Sequence, residues 1–289
     1  MRGSDDALGK PMDNSAAKAN QHKTWQAVAP GWKQYDELMR RLTKPVTDRM
    51  TAGMRPGQRV LDIASGVGEP AIAIAERVGP TGSVLGTDLV EEMLAFAREK
   101  AAARGVKNIE FRHVDGEALD VPDRSFDAVT MRWGLMFMPD PGACLTRARQ
   151  ALKPGGTIAL TCWAPIEKNP WALIPMSVLR KYVEVPAPPP GAPGLFAFAD
   201  RARLESVLKD AGFSNVNVEP VETLMGDFDK GEEFVAFILA LAGPIAMLMK
   251  AVPEDKRAAA TNEIAREAER VGGGRARVPG VTWLATAQA

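Results

Sequence analysis

One succession of predicted elements constrains the fold more than any other feature of the sequence: a strand, a glycine-rich turn and a helix between residues 59 and 78. Residues 60–63 (V-L-D-I) are mostly apolar and favour a strand. Gly66 and Gly68 leave no Cβ in the way, so a ligand can lie against bare backbone. The predicted helix, residues 70–78, offers its unpaired N-terminal N–H groups to a carboxylate or a phosphate. The stretch therefore predicts an α/β fold that binds a cofactor at this turn.

The residues beside the turn distinguish two kinds of cofactor. In the dinucleotide fingerprint G-x-G-x-x-G, Ala71 takes the place of the third glycine, which is an accepted variant. Asp62 is more informative, because an acid just before the turn repels a pyrophosphate and attracts an ammonium. S-adenosylmethionine (SAM) carries an ammonium, a carboxylate and a sulfonium, and no phosphate. SAM is therefore the predicted cofactor.

Two further predicted strands end in an acid. The second strand, residues 83–88, ends at Asp88 about twenty residues after the turn, where a carboxylate accepts hydrogen bonds from the two hydroxyls of a cofactor ribose. Ribose occurs in both NAD and SAM, so Asp88 indicates a nucleoside cofactor without naming it. The third strand, residues 109–114, ends at Asp115. Its carboxylate suits the exocyclic amine of adenine, and a backbone N–H at Gly116 suits the adenine ring.

Three segments resemble the class I SAM-dependent methyltransferases. The turn is similar to their first motif, D-x-G-x-G-x-G, with Ala64 in place of the first glycine, which makes the expected backbone contact there less close. Residues 115–129 (D-G-E-A-L-D-V-P-D-R-S-F-D-A-V) closely resemble the ubiquinone and menaquinone biosynthesis type of methyltransferase. The run L-K-P-G-G before a fifth strand, residues 157–162, is a further mark of this fold.

This resemblance implies an architecture and a set of contacts. The fold is expected to be α/β, with a Rossmann-like seven-stranded mixed sheet of six parallel strands and one antiparallel strand. Helices are expected on both faces of the sheet, together with an N-terminal helical arm and an inserted helical lid. Tyr35 is expected to reach the SAM carboxylate and the backbone at Arg132 the SAM amino group. The predicted cofactor-binding residues are Tyr35, Asp62, Ala64, Gly66, Gly68, Asp88, Leu89, Met93, Asp115, Gly116, Glu117 and Arg132.

Aromatic and methionine side chains predict an apolar or aromatic small molecule as the methyl acceptor. Ordinary core packing is the alternative, since Met and Trp serve both roles. We expect O- or C-methylation of a polyketide, a quinone or a similar metabolite, because the resemblance is to enzymes of that sort. A protein or RNA methyltransferase and a SAM-binding scaffold subunit without catalysis are the other readings. The predicted pocket residues are Trp25, Trp32, Trp133, Met136, Trp163, Trp171 and Phe198.

A general base is needed only if the acceptor must lose a proton, because methyl transfer from a sulfonium is a direct in-line displacement. The sequence has two histidines. His113 lies inside the third strand and is expected to be structural. His22 lies on the N-terminal arm and is the catalytic candidate, if closure of the arm brings it to an acceptor hydroxyl. No cluster of His, Cys and carboxylates has the spacing of metal ligands, so no metal is expected.

The chain divides into three predicted parts. Residues 1–18 begin with M-R-G-S, similar to an expression-tag remnant, and are polar enough to be disordered. Residues 19–54 form the N-terminal helical arm. Residues 55–289 form the methyltransferase domain, with lid insertions at about 163–199 and 228–275. The first insertion is rich in proline, and a surface linker is the alternative there.

Two predicted helical segments have unusual patterns. In the arm, the apolar stripe is interrupted near Pro30. Residues 230–250 predict a single helix that is apolar over most of its circumference, so it must be buried or make a protein contact, and a homodimer is one such contact. A second helix, residues 253–271, precedes a last strand at residues 281–287, which is expected to pair antiparallel with the sixth.

Charge and cysteine content narrow the expected partners. The 36 Lys and Arg balance the 36 Asp and Glu, so the chain has no electrostatic footprint for nucleic acid or for an anionic membrane. Two cysteines suit neither a disulfide framework nor a metal cluster, and they favour a reducing compartment. No apolar run has the length needed to span a bilayer. The expected partner is a small molecule, and the expected location is the cytoplasm.

Overall fold

A computed structural model describes residues 14–185, 189 and 191–289. Its centre is a seven-stranded sheet in the order β3-β2-β1-β4-β5-β7-β6. Six strands run parallel, and β7 is antiparallel to both of its neighbours, β5 and β6. This arrangement confirms the predicted mixed sheet. The strands are β1 Arg59–Ile63, β2 Ser83–Asp88, β3 Ile109–His113, β4 Phe126–Arg132, β5 Leu152–Trp163, β6 Ser214–Phe228 and β7 Ala276–Gln288.

Both faces of the sheet are covered, as in other parallel sheets. In β1, Val60 joins a core cluster with α4 and α5 on one face, while Leu61 and Ile63 join the main core on the other. Because β1 lies between β2 and β4, the chain order reverses at this strand, and ligands bind outside the carboxyl ends of strands at such a point. The helices are α1 Asn14–Gln34, α2 Asp36–Leu42, α3 Lys44–Thr51, α4 Ala71–Val78, α5 Glu91–Ala103, α6 Pro141–Ala151, α7 Pro170–Leu179, α8 Arg201–Asp210, α9 Gly231–Leu241, α10 Gly243–Ala251 and α11 Glu254–Val271.

The N-terminal arm differs from the sequence prediction at two points. The helix begins at Asn14, so residues 14–18, which were expected to be disordered, form its first turns; residues 1–13 lie outside the described part of the chain. The second point concerns Pro30, where an interruption was predicted. The helix α1 continues through Pro30, which lies on its exposed side. Its breaks come at Tyr35 and Thr43, between α1, α2 and α3.

The prediction of one continuous helix over residues 230–250 is wrong. The segment is two helices, α9 and α10, which meet at Ala242 at an angle of 107°. Pro244 gives the physical reason, because a proline removes a donor and clashes with the carbonyl four residues earlier in a continuous helix. Phe234, Phe237 and Ile245 are fully buried within the chain, so the apolar composition of this segment no longer calls for a dimer contact.

The proline-rich insertion also contains a regular element. Between Trp163 and Asp200 the chain forms α7, with Pro170 in its first turn and Pro175 inside it. Five of its other residues are buried, and α7 packs against α10 and α11. α7 and α11 also contact β7, and α9 contacts β6. The opening and closing of these helices as lids stays a prediction.

The last predicted strand was too short. The last strand begins at Ala276 rather than Val281. The predicted L-K-P-G-G turn lies within β5 as an irregularity, because Phe126 pairs with Leu152 and Ala128 with Thr157. In the described part of the chain, no single helix has the length and hydropathy of a membrane span, although the bent pair α9 and α10 passes that test when taken together.

Gly31→Ala is expected to destabilise the protein by about 1–3 kcal/mol, because overpacking at a close contact forces the backbone to shift. A Cβ at this position of α1 would lie 2.2 Å from the carbonyl oxygen of Ala240 in α9. Gly53→Ala is the control, since a Cβ there meets nothing within 4 Å. Urea unfolding of the two variants measures the difference. Equal midpoints would mean that the arm does not pack against α9 in solution.

Candidate functional site

A cavity of about 1390 Å³, part of it open to solvent, lies at the carboxyl ends of β1 to β5. Each of these strands delivers residues to its wall: Ile63 and the following turn, Asp88, Asp115, Arg132 and Trp163. Residues of α1 cover one side, and Ile238, Leu241 and Pro244 of the α9–α10 bend cover another. The strand ends predicted from the sequence therefore meet in one place.

The turn after β1 presents open backbone at one of its two glycines. Gly66 has a φ of +53°, and a Cβ there would meet only Met93 Sδ, at 3.7 Å. Gly68 does something else, because a Cβ on it would lie 2.9 Å from Ile72 Cδ1 and 3.0 Å from Ala97 Cβ. Gly68 thus allows the turn to pack against α4 and α5, and it does not line the cavity. Its assignment as a cofactor-binding residue stays a prediction.

Ala64 holds a backbone conformation that glycine favours. Its φ is +57°, and a non-glycine residue in the left-handed region carries strain of about 1–3 kcal/mol. Trp133, at the end of β4, has the same φ of +57°. Both residues line the cavity, and such strained positions cluster at ligand-binding sites.

Asp88 fixes the shape of the turn. Its Oδ2 accepts a hydrogen bond from the Gly66 N–H at 2.8 Å, and its Oδ1 accepts one from the Val90 N–H at 2.9 Å. Burial raises the pKa of Asp88, and the N–H donors of Gly66, Val90 and Leu89 oppose that effect. A carboxylate has about four lone-pair sites, so Asp88 keeps acceptor capacity toward the cavity that it lines.

Asp62 lies under the turn and not on the cavity wall, which corrects the sequence expectation. Its side chain is fully buried, and it accepts hydrogen bonds from Thr130 Oγ1 at 2.5 Å and from Ser65 Oγ at 2.7 Å. Burial raises the pKa of Asp62 to about 6, against the opposing effect of these two donors. Asp62 therefore braces the turn between β1 and β4.

Glu69 is the acid of this segment that does line the cavity, and the sequence analysis missed it. Its side chain is 4% exposed and forms ion pairs with Arg104 at 3.0 Å and with Lys100 at 3.7 Å. Both partners are basic residues of α5 and its C-terminus, more than thirty residues away, so no local pattern marked the position.

Arg132 is held in place by the N-terminal arm. Its Nη1 donates to Thr43 Oγ1 at 3.1 Å and to Thr47 Oγ1 at 3.0 Å, and its Nη2 donates to the Glu69 carbonyl at 3.0 Å. The guanidinium thus connects α3 to the turn, and the residue lines the cavity as predicted.

Three tryptophans form one wall of the cavity. Trp133 and Trp163 stack with ring centroids 4.4 Å apart at an interplanar angle of 15°, and Trp171 lies 4.8 Å from Trp163. Trp133 Nε1 donates to Thr282 Oγ1 at 3.0 Å, and Trp171 Nε1 donates to Asn169 Oδ1 at 2.9 Å. Because both of these N–H groups already have protein acceptors, the rings offer the cavity apolar surface rather than hydrogen-bond donors.

The arm contributes two more indole rings. Trp25 packs edge-on against Phe137 with centroids 4.8 Å apart, and Trp32 Nε1 donates to the Leu241 carbonyl at 3.2 Å. Both tryptophans line the cavity. The arm is therefore part of the cavity wall, as the resemblance implied.

Most of the predicted site residues line this cavity. Those that do are Ala64, Gly66, Asp88, Leu89, Met93, Asp115, Gly116, Glu117, Arg132, Trp25, Trp32, Trp133, Met136, Trp163 and Trp171. Besides Asp62 and Gly68, three predicted residues do not line it. Tyr35 packs edge-on against Phe237 at 5.1 Å, and Phe198 is buried beneath Arg203. His22 is half-buried on α1, away from the cavity lining.

No group of three or more His, Cys, Asp or Glu side chains in the described residues is arranged to hold a metal ion. His113 is exposed, and its Nε2 lies 2.9 Å from the Leu89 carbonyl. The contact attaches β3 to the loop after β2, which is a structural role.

The model of the ubiE/COQ5 methyltransferase family matches residues 18–172, more than half of the chain. The chain belongs to the ubiE/COQ5 methyltransferase family. Demethylmenaquinone methyltransferase of Staphylococcus aureus is 32% identical over 223 residues, which cover 71% of this chain and 90% of the relative. Family and relative together make this chain a SAM-dependent methyltransferase, and they confirm the resemblance predicted from its motifs.

Solved structures share the fold of this ubiE/COQ5 family member. A methyltransferase from Bacillus halodurans aligns with a TM-score of 0.54 at 20% identity, over 85% of this chain and 98% of that one. The [4+2]-cyclase SpnF aligns with a TM-score of 0.51 at 22% identity, over 84% of this chain and 79% of that one. At these identities the likeness concerns the fold alone.

Proposed function

We propose that this ubiE/COQ5 family member transfers the methyl group of SAM to a neutral, planar small molecule of the quinol class. The observation that carries the proposal is the cavity itself, which is lined both by the acids at two strand ends, Asp88 and Asp115, and by the tryptophan wall. The name of the relative, a demethylmenaquinone methyltransferase, agrees with an aromatic quinol as acceptor. Protein and RNA acceptors are disfavoured, because the tryptophan wall is enclosed by α7, α9 and the arm.

The polar half of the cavity fits SAM. A Cβ added at Gly66 would lie 3.7 Å from its nearest neighbour, Met93 Sδ, so the backbone there leaves room for a ligand against the turn. Asp88 has acceptor capacity for the two ribose hydroxyls, and Asp115 has a carboxylate for the adenine amine. Arg132 and Lys18 are both basic residues of the wall, and the Arg132 guanidinium suits a carboxylate. When bound, SAM supplies an electrophilic methyl group on its sulfonium.

The protein's own part in the reaction is to position the acceptor and to exclude water. Trp133 and Trp163 provide flat apolar surface for a planar ring, and Trp25 on the arm closes the other side. An acceptor hydroxyl that must lose a proton needs a base. His22, the candidate for this base from the sequence, is not among the residues that line the cavity.

A panel of acceptors tests the proposed function. The purified protein is incubated with SAM and a reduced demethylated naphthoquinone, a simple phenol, a peptide mixture or RNA, and S-adenosylhomocysteine (SAH) release is measured with the mass of the product. We expect methylation of the naphthoquinol and none of peptide or RNA. Transfer to peptide or RNA alone would replace the proposed acceptor. SAM binding without turnover on any acceptor would support the scaffold alternative.

A further inference from the structure

Lys18 makes the closest ionic contact among the residues that line the cavity. This residue of α1 lies 2.7 Å from Asp115 Oδ2 and 2.7 Å from Glu117 Oε2. The three side chains line the same cavity, with 30%, 28% and 5% of their surface exposed, respectively. The arm therefore places an ammonium where the proposed cofactor would present its adenine amine.

The two carboxylates have no oxygen without a donor. The other oxygen of Asp115, Oδ1, accepts the Glu117 N–H at 2.9 Å, and the other oxygen of Glu117, Oε1, accepts the Asp140 N–H at 2.9 Å. A ligand amine that approaches Asp115 therefore meets an oxygen that already has a donor, and at Oδ2 that donor is the Lys18 ammonium. The contact between Lys18 and Asp115 joins two opposite charges, whereas the adenine amine is neutral, so the ammonium competes strongly with that amine for Oδ2.

We propose that Lys18 occupies the adenine-amine position in the unliganded enzyme and is displaced when the nucleoside binds, so that Lys18 sets the affinity for the cofactor. The inference rests on the proposed function, since it places the adenine at Asp115. Displacement also frees the first turns of α1, which couples the start of the arm to occupancy of the nucleoside site. Lys18 is thus an affinity-determining residue and not a catalytic one.

Lys18→Met removes the competitor while keeping a long apolar side chain. Calorimetric titration with SAH at low salt is expected to show binding about two- to fivefold tighter than in the wild type, as the loss of a partly exposed ion pair allows. Salt screens the ion pair, so the difference should shrink at high ionic strength. Lys18→Arg keeps the charge and should bind SAH like the wild type.

Lys23→Met is the matched control, because Lys23 is an exposed lysine of the same helix that lies outside this cavity. It removes the same charge and should leave SAH affinity unchanged. An SAH analogue with purine in place of adenine lacks the exocyclic amine, so Lys18→Met should tighten its binding less than that of SAH. This comparison isolates the coupling between Lys18 and the amine.

The outcomes separate this inference from the proposed function. Displacement is supported if Lys18→Met, and not Lys18→Arg or Lys23→Met, binds SAH more tightly than the wild type. This gain in affinity should be smaller at high salt and for the analogue without the amine. Equal or weaker binding by Lys18→Met overturns it and leaves the proposed function standing. Failure of the wild type and every variant to bind SAH or SAM overturns both.

Discussion

Asp88→Asn is expected to weaken SAM binding by about 10- to 100-fold, since a hydrogen bond to a charged group contributes about 1.5–3 kcal/mol. The carboxylate accepts the N–H groups of Gly66 and Val90 with one oxygen each and faces the cavity. An amide has a single acceptor oxygen, so it cannot keep both backbone bonds and also accept two ribose hydroxyls. The loss therefore affects the shape of the turn and the contact with the sugar together. Calorimetry with SAM measures the change.

A cofactor analogue distinguishes the contact with the ribose from damage to the turn. The wild type should bind SAH more tightly than its 2′-deoxy analogue, and Asp88→Asn should discriminate between the two much less. Asp120→Asn, at an exposed position outside the cavity, is the control for loss of one carboxylate. Undiminished discrimination in Asp88→Asn would remove Asp88 from the ribose site.

Asp62→Asn is expected to stabilise the folded protein by about 3 kcal/mol at pH 7, because the wild type must hold a buried charge there. Burial raises the pKa of Asp62 from 3.8 to about 6. An amide has nearly the same shape and carries no charge, and Thr130 and Ser65 can turn their hydroxyls to suit it. Urea unfolding of the wild type and the variant at pH 7 measures the difference in free energy of unfolding.

The raised pKa of Asp62 also determines how the stability difference between the wild type and Asp62→Asn changes with pH. Below about pH 4 the carboxyl is protonated in the folded and the unfolded protein, and its ionisation costs nothing. As the pH rises toward 6, the unfolded chain releases the proton while the folded protein keeps it, so the wild type loses stability relative to Asp62→Asn. The advantage of the variant should therefore grow between pH 4 and pH 6 and then level off. An advantage that does not change with pH would show that Asp62 is not a buried charge.

The five strands that carry the site could be predicted from local patterns. Turn signals separate their apolar or alternating segments, and β2 was predicted with the bounds that it has, Ser83–Asp88. The acids at Asp88 and Asp115 followed from their positions at strand ends, because the carboxyl ends of parallel strands meet at one edge of the sheet. Pro244 was a local signal as well, and it was missed because the apolar pattern continued through it.

The roles of individual side chains were harder to predict. Asp62 and Gly68 belong to the motif, but neighbours from β4, α4 and α5 decide that they brace or pack rather than face the cavity. Tyr35 was assigned by resemblance, and its ring packs on Phe237 of α9, about 200 residues later in the chain. A motif records which residue types a turn needs, and it does not record which of them point toward a ligand.

By itself, the sequence determined the order of strands and helices, the cofactor-binding turn and the family of this methyltransferase, because these follow from periodicity, turn chemistry and motif spacing within short segments. Only the tertiary structure decided which side chains enclose the cavity. Lys18 reaches Asp115 across 97 residues, and Ile238 and Leu241 line the cavity from α9, which packs against α1 of the arm. Such contacts depend on how helices pack on the sheet, and that packing is a property of the whole core that no local pattern contains.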